Sequence, residues 1–152
     1  MIRVNGAIVP HAAIAREVQN QAGATPLEAW EGATRALVVR ELLLQRAGVL
    51  GIAAAPQEAN GARETEDEAI IRSLLDRELR VPVADEATCR RFHAAHRGKL
   101  GAMPFGQAQP LIADYLHDAA WCQAVAQYVT LLAAQARIEG IRLGDATASG
   151  TQ

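Results

Sequence analysis

The sequence predicts an all-α fold of about five helices. Three observations lead there. Half of the 152 residues are apolar, so the chain can bury a core, yet aromatics make up only 4%. Alanine and leucine carry the apolar content instead, and both favour helix over strand. Apolar positions recur at spacings of three and four, and helix-start signals precede the periodic runs.

The elements follow in order. Asn5-Gly6 is a turn signal. Pro10 suits the first position of a short helix reaching about Gln19, with Ile14 and Val18 on one face. Residues Asn20 to Ala24 read as a connection. Thr25-Pro26-Leu27-Glu28 then joins an N-cap hydroxyl, a proline at the first helical position and a glutamate three residues after the cap. A long helix follows to about Ala47. Its apolar face, with Leu37, Val38, Leu42, Leu43 and Leu44, is wider than a surface helix needs, so this helix should be central to the core.

Ala53 to Glu64 reads as a linker. Thr65-Glu66-Asp67-Glu68 repeats the capping pattern and starts a helix to about Arg80, which Val81-Pro82-Val83 breaks. Asp85 caps a fourth helix, Glu86 to about His96, with Cys89 and Phe92 facing in. The last helix is expected from about Gln107 to Glu139, with Pro110 in its first turn or so. Beyond Gly144 a small, polar, mobile tail is expected.

Charge and composition exclude several functions. A formal net charge of −2 leaves no strong electrostatic footprint for nucleic acid. No apolar run reaches the ~18–20 residues of a membrane span. The start Met1-Ile2-Arg3-Val4-Asn5-Gly6 has no basic stretch followed by an apolar one, so no signal peptide and a cytoplasmic location are expected. Cys89 and Cys122 form no CxxC pair and are expected as free thiols. No phosphate loop, GxSxG elbow or HExxH motif occurs, and Asp114 and Asp118 read as a solvated face.

One cluster has ligand chemistry. Cys89, His93 and His96 are spaced by four and three residues, which brings their side chains together on a helix. Thiolate and imidazole suit zinc or copper, with His117 or Cys122 as a conceivable fourth ligand. A simpler reading is a buried cysteine beside two partly exposed histidines. His117 and Trp121, four apart, read as a packing pair.

Three stretches, taken in order, resemble a known family. They are Val4-Asn5-Gly6 followed by Ala36 to Ala47; Thr65 to Arg97, with Leu75-Asp76-Arg77-Glu78-Leu79 and Asp85 to Phe92; and Pro104-Phe105, Ile112 to Leu116, Ala126 to Val129 and Ala136 to Ile141. Together they are similar to the helical chaperone part of SurA/PpiC-type parvulins, including the NifM-like proteins. In that family a prolyl isomerase domain lies between the second and third stretches. Here only residues 98–106 stand in its place, too few for a catalytic domain. The resemblance implies a single SurA-like helical chaperone domain over 1–143, with the C-terminal helix packing back on the N-terminal ones.

It implies a non-catalytic, cofactor-free chaperone or accessory protein that binds apolar segments of an unfolded or immature client, as in metalloenzyme maturation. The candidate client-binding residues are Leu37, Val38, Leu42 and Leu43, flanked by Arg40 and Arg46, with Tyr115 and Trp121. For the leucine face, core is the simpler reading. Two other classes stay open. One is a Cys/His metal-binding or redox protein. The other is a structural dimerisation module, a homodimer swapped through the C-terminal helix, because about ten linker residues reach at most ~35 Å.

Overall fold

A computed structural model describes residues 1–21, 25–59, 61–141 and 143. The chain divides into two compact units where one domain was expected. The first comprises Met1–Glu78 and the chain from Tyr128; the second is Leu79–Gln127. The expected mobile tail, 144–152, and part of the expected connection, 22–24, lie outside the described residues.

The first unit is mostly helical but not all-α. Asn5 and Gly6, with φ of 51° and 85°, form the turn of a hairpin joining β1 (Ile2–Val4) to β2 (Ala7–Val9). Such positive φ values match the twist of two-residue hairpins. A third strand, Ile138–Glu139, pairs antiparallel with the other side of β1. Asn5 ties this corner together. Its amide donates to Gln45 Oε1 at 2.8 Å, and its Oδ1 accepts from the Arg137 N–H at 2.8 Å.

Helix α1 (His11–Glu17) continues into a 3-10 turn at Val18–Asn20, with Pro10 at the N-cap. Helix α2 (Pro26–Leu50) starts as expected: the Glu28 N–H donates to Thr25 Oγ1 at 3.1 Å, and Pro26 leads the helix. Its last residue, Leu50, is three beyond the expected end, and Gly51 caps it in the left-handed conformation.

The wide apolar face of α2 exists because this helix serves two clusters. Ala33, Val38 and Leu42 pack with Val4, Val9 and Ile14, while Leu43 and Ala47 pack with Leu74. Leu74 belongs to α3 (Glu66–Glu78), whose N–H at Glu68 is capped by Thr65 Oγ1 at 3.1 Å. The expected linker before it holds a hairpin of two-residue strands, β3 (Glu58–Ala59) and β4 (Ala62–Arg63). Arg72 fastens this segment by pairing with Glu64 at 3.0 Å and donating to the Ala55 carbonyl at 3.1 Å.

The second unit contains α4 (Glu86–Ala95), the short α5 (Arg97–Leu100) and the first part of α6 (Phe105–Gln135). Asp85 caps α4 through the Thr88 N–H at 2.8 Å. Gly101, at φ 63°, turns the chain towards α6. Cys89, Ala108 and Ile112 form the buried centre, covered by Phe92, Leu100, Met103 and Phe105. Pro110 is exposed in the second turn of α6, because the helix starts at Phe105, two residues before the expected position.

The end of α6, from Tyr128, belongs to the first unit. There Tyr128, Val129 and Leu132 pack against the α2–α3 cluster, and Leu132 also meets the cluster under β1. The C-terminal helix thus returns to the N-terminal helices. It stops at Gln135, because the next residues turn into the third strand, β5 (Ile138–Glu139). Among the described residues no helix is long and apolar enough to cross a membrane.

Candidate functional site

The residues singled out by sequence fall into separate places. Val38, Leu42 and Leu43 are buried, at 0%, 3% and 4% exposure, so they are core and present no face to a client. Sequence periodicity marks an apolar face but does not reveal what covers it. Leu37 packs partly buried against the same core. With Arg40 it edges a recess of about 190 Å³. Leu42 and Arg46 edge another, of about 180 Å³.

Both arginines already have partners. Arg40 donates to Asp67 at 3.1 Å, and Arg46 lies 3.8 Å from Glu78. They join α2 to α3 at the edges of these recesses. Tyr128 adds to the second pair by donating to Glu78 Oε1 at 3.2 Å. Burial pushes the Tyr128 hydroxyl above its ordinary value of 10.0; Arg46 opposes the rise and the Glu78 acceptor adds to it. Trp121 is half-buried on α6 and stacks with His117, with ring centroids 6.4 Å apart, the packing pair expected.

The Cys/His cluster does not assemble as a ligand set. Cys89 is turned into the centre of its unit at 1% exposure. His93 Nε2 lies 2.9 Å from the Met103 carbonyl, and His96 Nδ1 lies 2.9 Å from the Phe92 carbonyl. A carbonyl only accepts, so each of these nitrogens carries a proton and donates. Both rings are further engaged: His96 stacks on Phe92 at 4.0 Å, and His93 meets the edge of Phe105 at 5.7 Å. Among the described residues no three His, Cys, Asp or Glu side chains gather as a metal requires. Both cysteines are free, Cys122 exposed.

The arrangement best suited to hold another molecule lies in the second unit. Phe92 and His96 are four apart on α4 and its C-cap, and Lys99 and Leu100 follow on α5. Across from them α6 presents Leu111, Ile112 and Tyr115. Together these seven residues line an open cleft of about 330 Å³. The volume falls at the low end of the ~300–1,000 Å³ typical of ligand sites.

The floor and lip of the cleft differ sharply. Ile112 is buried at 1%, whereas Leu111 and Tyr115 are exposed at 57% and 61%. The Tyr115 ring leans towards Phe92 at 5.5 Å. Large apolar groups therefore stand in water beside the Phe92–His96 stack, and covering them is favourable by about 25 cal/mol per Å².

Tyr115 is the one sequence-stated binding residue in this cleft. Lys99 and Leu100 were missed because a four-residue helix has no periodicity to read. The sequence offers Phe92 only as inward-facing, and His96 either as a candidate ligand or as a partly exposed histidine.

Comparison of the chain with protein-family models, curated proteins and solved structures gives no match.

Proposed function

We propose that the chain is a non-catalytic accessory chaperone, which covers apolar segments of an immature client through the cleft between α4, α5 and α6. The observation that carries this reading is the exposed pair Leu111 and Tyr115 beside the Phe92–His96 stack. What sets Leu111 and Tyr115 apart from the chain's other exposed apolar side chains is that they stand together on the lip of one cleft. The likeness to the helical part of SurA/PpiC-type parvulins supports the same class of activity.

The cleft has room for one or two large side chains. Each contributes roughly 1.5–3 kcal/mol when fully buried, against which the cost of association must be set. Binding is therefore weak, short-lived and tolerant of sequence, as holding an unfolded chain requires.

The test is light scattering of a chemically unfolded protein diluted into buffer, with and without this chain at equal molarity. The wild type suppresses aggregation, and a Leu111→Ser, Tyr115→Ser double variant with unchanged circular dichroism loses most of the effect. Absence of suppression, or suppression that the double variant retains, refutes the reading.

A further inference from the structure

The cleft has a charge bias as well as an apolar wall. Lys99 is the only charged residue in its lining. The stretch Arg90 to Lys99 contains Arg90, Arg91, Arg97 and Lys99, with His93 and His96, and no acid.

Among the described residues, Arg90 and Arg91 have acids beside them within the unit; Arg97 and Lys99 do not. Arg90 pairs with Glu86 at 2.7 Å and lies over the Phe105 ring at 4.2 Å. Arg91 donates to the Thr88 hydroxyl at 3.2 Å and stands near enough to Asp85 to help lower its pKa. Among the described residues, neither Arg97 nor Lys99 has an ion pair or a side-chain hydrogen bond, and both are exposed on α5. None of the unit's acids lines the cleft: Asp85 caps α4 beside Arg91, Glu86 holds Arg90, and Asp114 and Asp118 are outside the lining.

We infer that the cleft selects peptide segments in which one or two large apolar side chains are flanked by carboxylates. This rests on the client-binding reading above and adds the chemistry of the client. The apolar groups fill the space between Phe92, Leu111 and Tyr115, and the carboxylate meets Lys99, with Arg97 on the same short helix adding to the attraction. The aliphatic floor of Ile112 and Leu100 favours a peptide over a stacked nucleobase.

An exposed rim pair is worth a modest gain, roughly two- to fivefold in affinity at low salt. That gain fades as screening shortens the range of the field.

The experiment is fluorescence anisotropy with the full chain and three labelled peptides of equal length. Each carries a central Leu-Phe, flanked by glutamate, glutamine or lysine. The glutamate peptide is expected to bind about two- to fivefold tighter than the glutamine one, with the lysine one weakest. The order should compress at about 0.5 M salt. Lys99→Glu, an exposed substitution that leaves the core alone, should reverse it.

Equal binding of all three peptides, or an order unchanged by Lys99→Glu, overturns the charge selection and leaves the client reading standing. If none of the three binds, the client reading itself falls, and the selection with it. A single-stranded oligonucleotide that binds more tightly than the glutamate peptide also overturns the inference.

Discussion

Replacing Asn5 by alanine removes three things that the structure separates. The amide bond to Gln45 Oε1 and the bond from the Arg137 N–H, both 2.8 Å, are lost. Each is worth about 0.5–1.5 kcal/mol net, and the low end applies at this exposed corner. Alanine must also hold the positive φ of 51°. A left-handed backbone costs an L-residue with a Cβ roughly 1–2 kcal/mol. The expected total is about 2–3 kcal/mol.

Asn5→Gly loses the same two bonds but not the tolerance of positive φ. It should cost about 1 kcal/mol less than alanine. Urea unfolding measures both, read from Trp30 fluorescence in a Trp121→Phe background so that only the first unit reports. If alanine and glycine prove equal, backbone strain has no part at this turn. If alanine costs under about 0.5 kcal/mol, the clasp to Gln45 and Arg137 contributes nothing net.

Three further outcomes are expected. Leu74→Ala, at a fully buried site between α2 and α3, should lower stability by about 2–5 kcal/mol, seen as a fall in urea midpoint with little change in slope. Tyr128→Phe removes a group whose folded pKa is raised above 10.0, chiefly by burial. The wild type should therefore lose stability as pH rises through 10 towards the folded value, and the phenylalanine variant should not lose it in that window. Asp85 has the opposite sign: its bonds with Thr88 hold its pKa below the ordinary 3.8. Its contribution is present above that value and disappears as pH falls through the folded one, so the difference between wild type and Asp85→Ala in Trp121-monitored unfolding should vanish in acid.

The helices were legible because their signals are local. Thr25, Thr65 and Asp85 each cap within three residues of themselves, and the sequence displays such spacings directly. The sheet was not legible beyond its turn. Asn5-Gly6 announced a reversal, but three-residue strands alternate too briefly to be read, and the partner that completes them lies at Ile138. The β3–β4 hairpin likewise depends on Arg72 reaching back to Glu64 and Ala55. In the cleft, Tyr115 is a binding candidate implied by the family resemblance, while nothing in the sequence separates neighbouring Leu111 and Ile112 into lip and floor. That separation depends on α4 and α5 lying against α6. The sequence shows Arg40 and Arg46 flanking the leucines but not their ion pairs, because the acids, Asp67 and Glu78, are about thirty residues away.

The position of β1 between β2 and β5 has a consequence for how the chain is made. A ribosome adds roughly 5–20 residues each second, so residue 139 emerges about 7–26 s after the first hairpin. Over that time Val4 and Val9 lack Leu132, Ala136 and Ile138, which cover them in the finished protein. Residues 79–127, contiguous in sequence, complete their own contacts earlier. The growing chain therefore presents a finished second unit and an unfinished first one. A synthesis pause just before Ile138 prolongs the exposure of its own apolar hairpin.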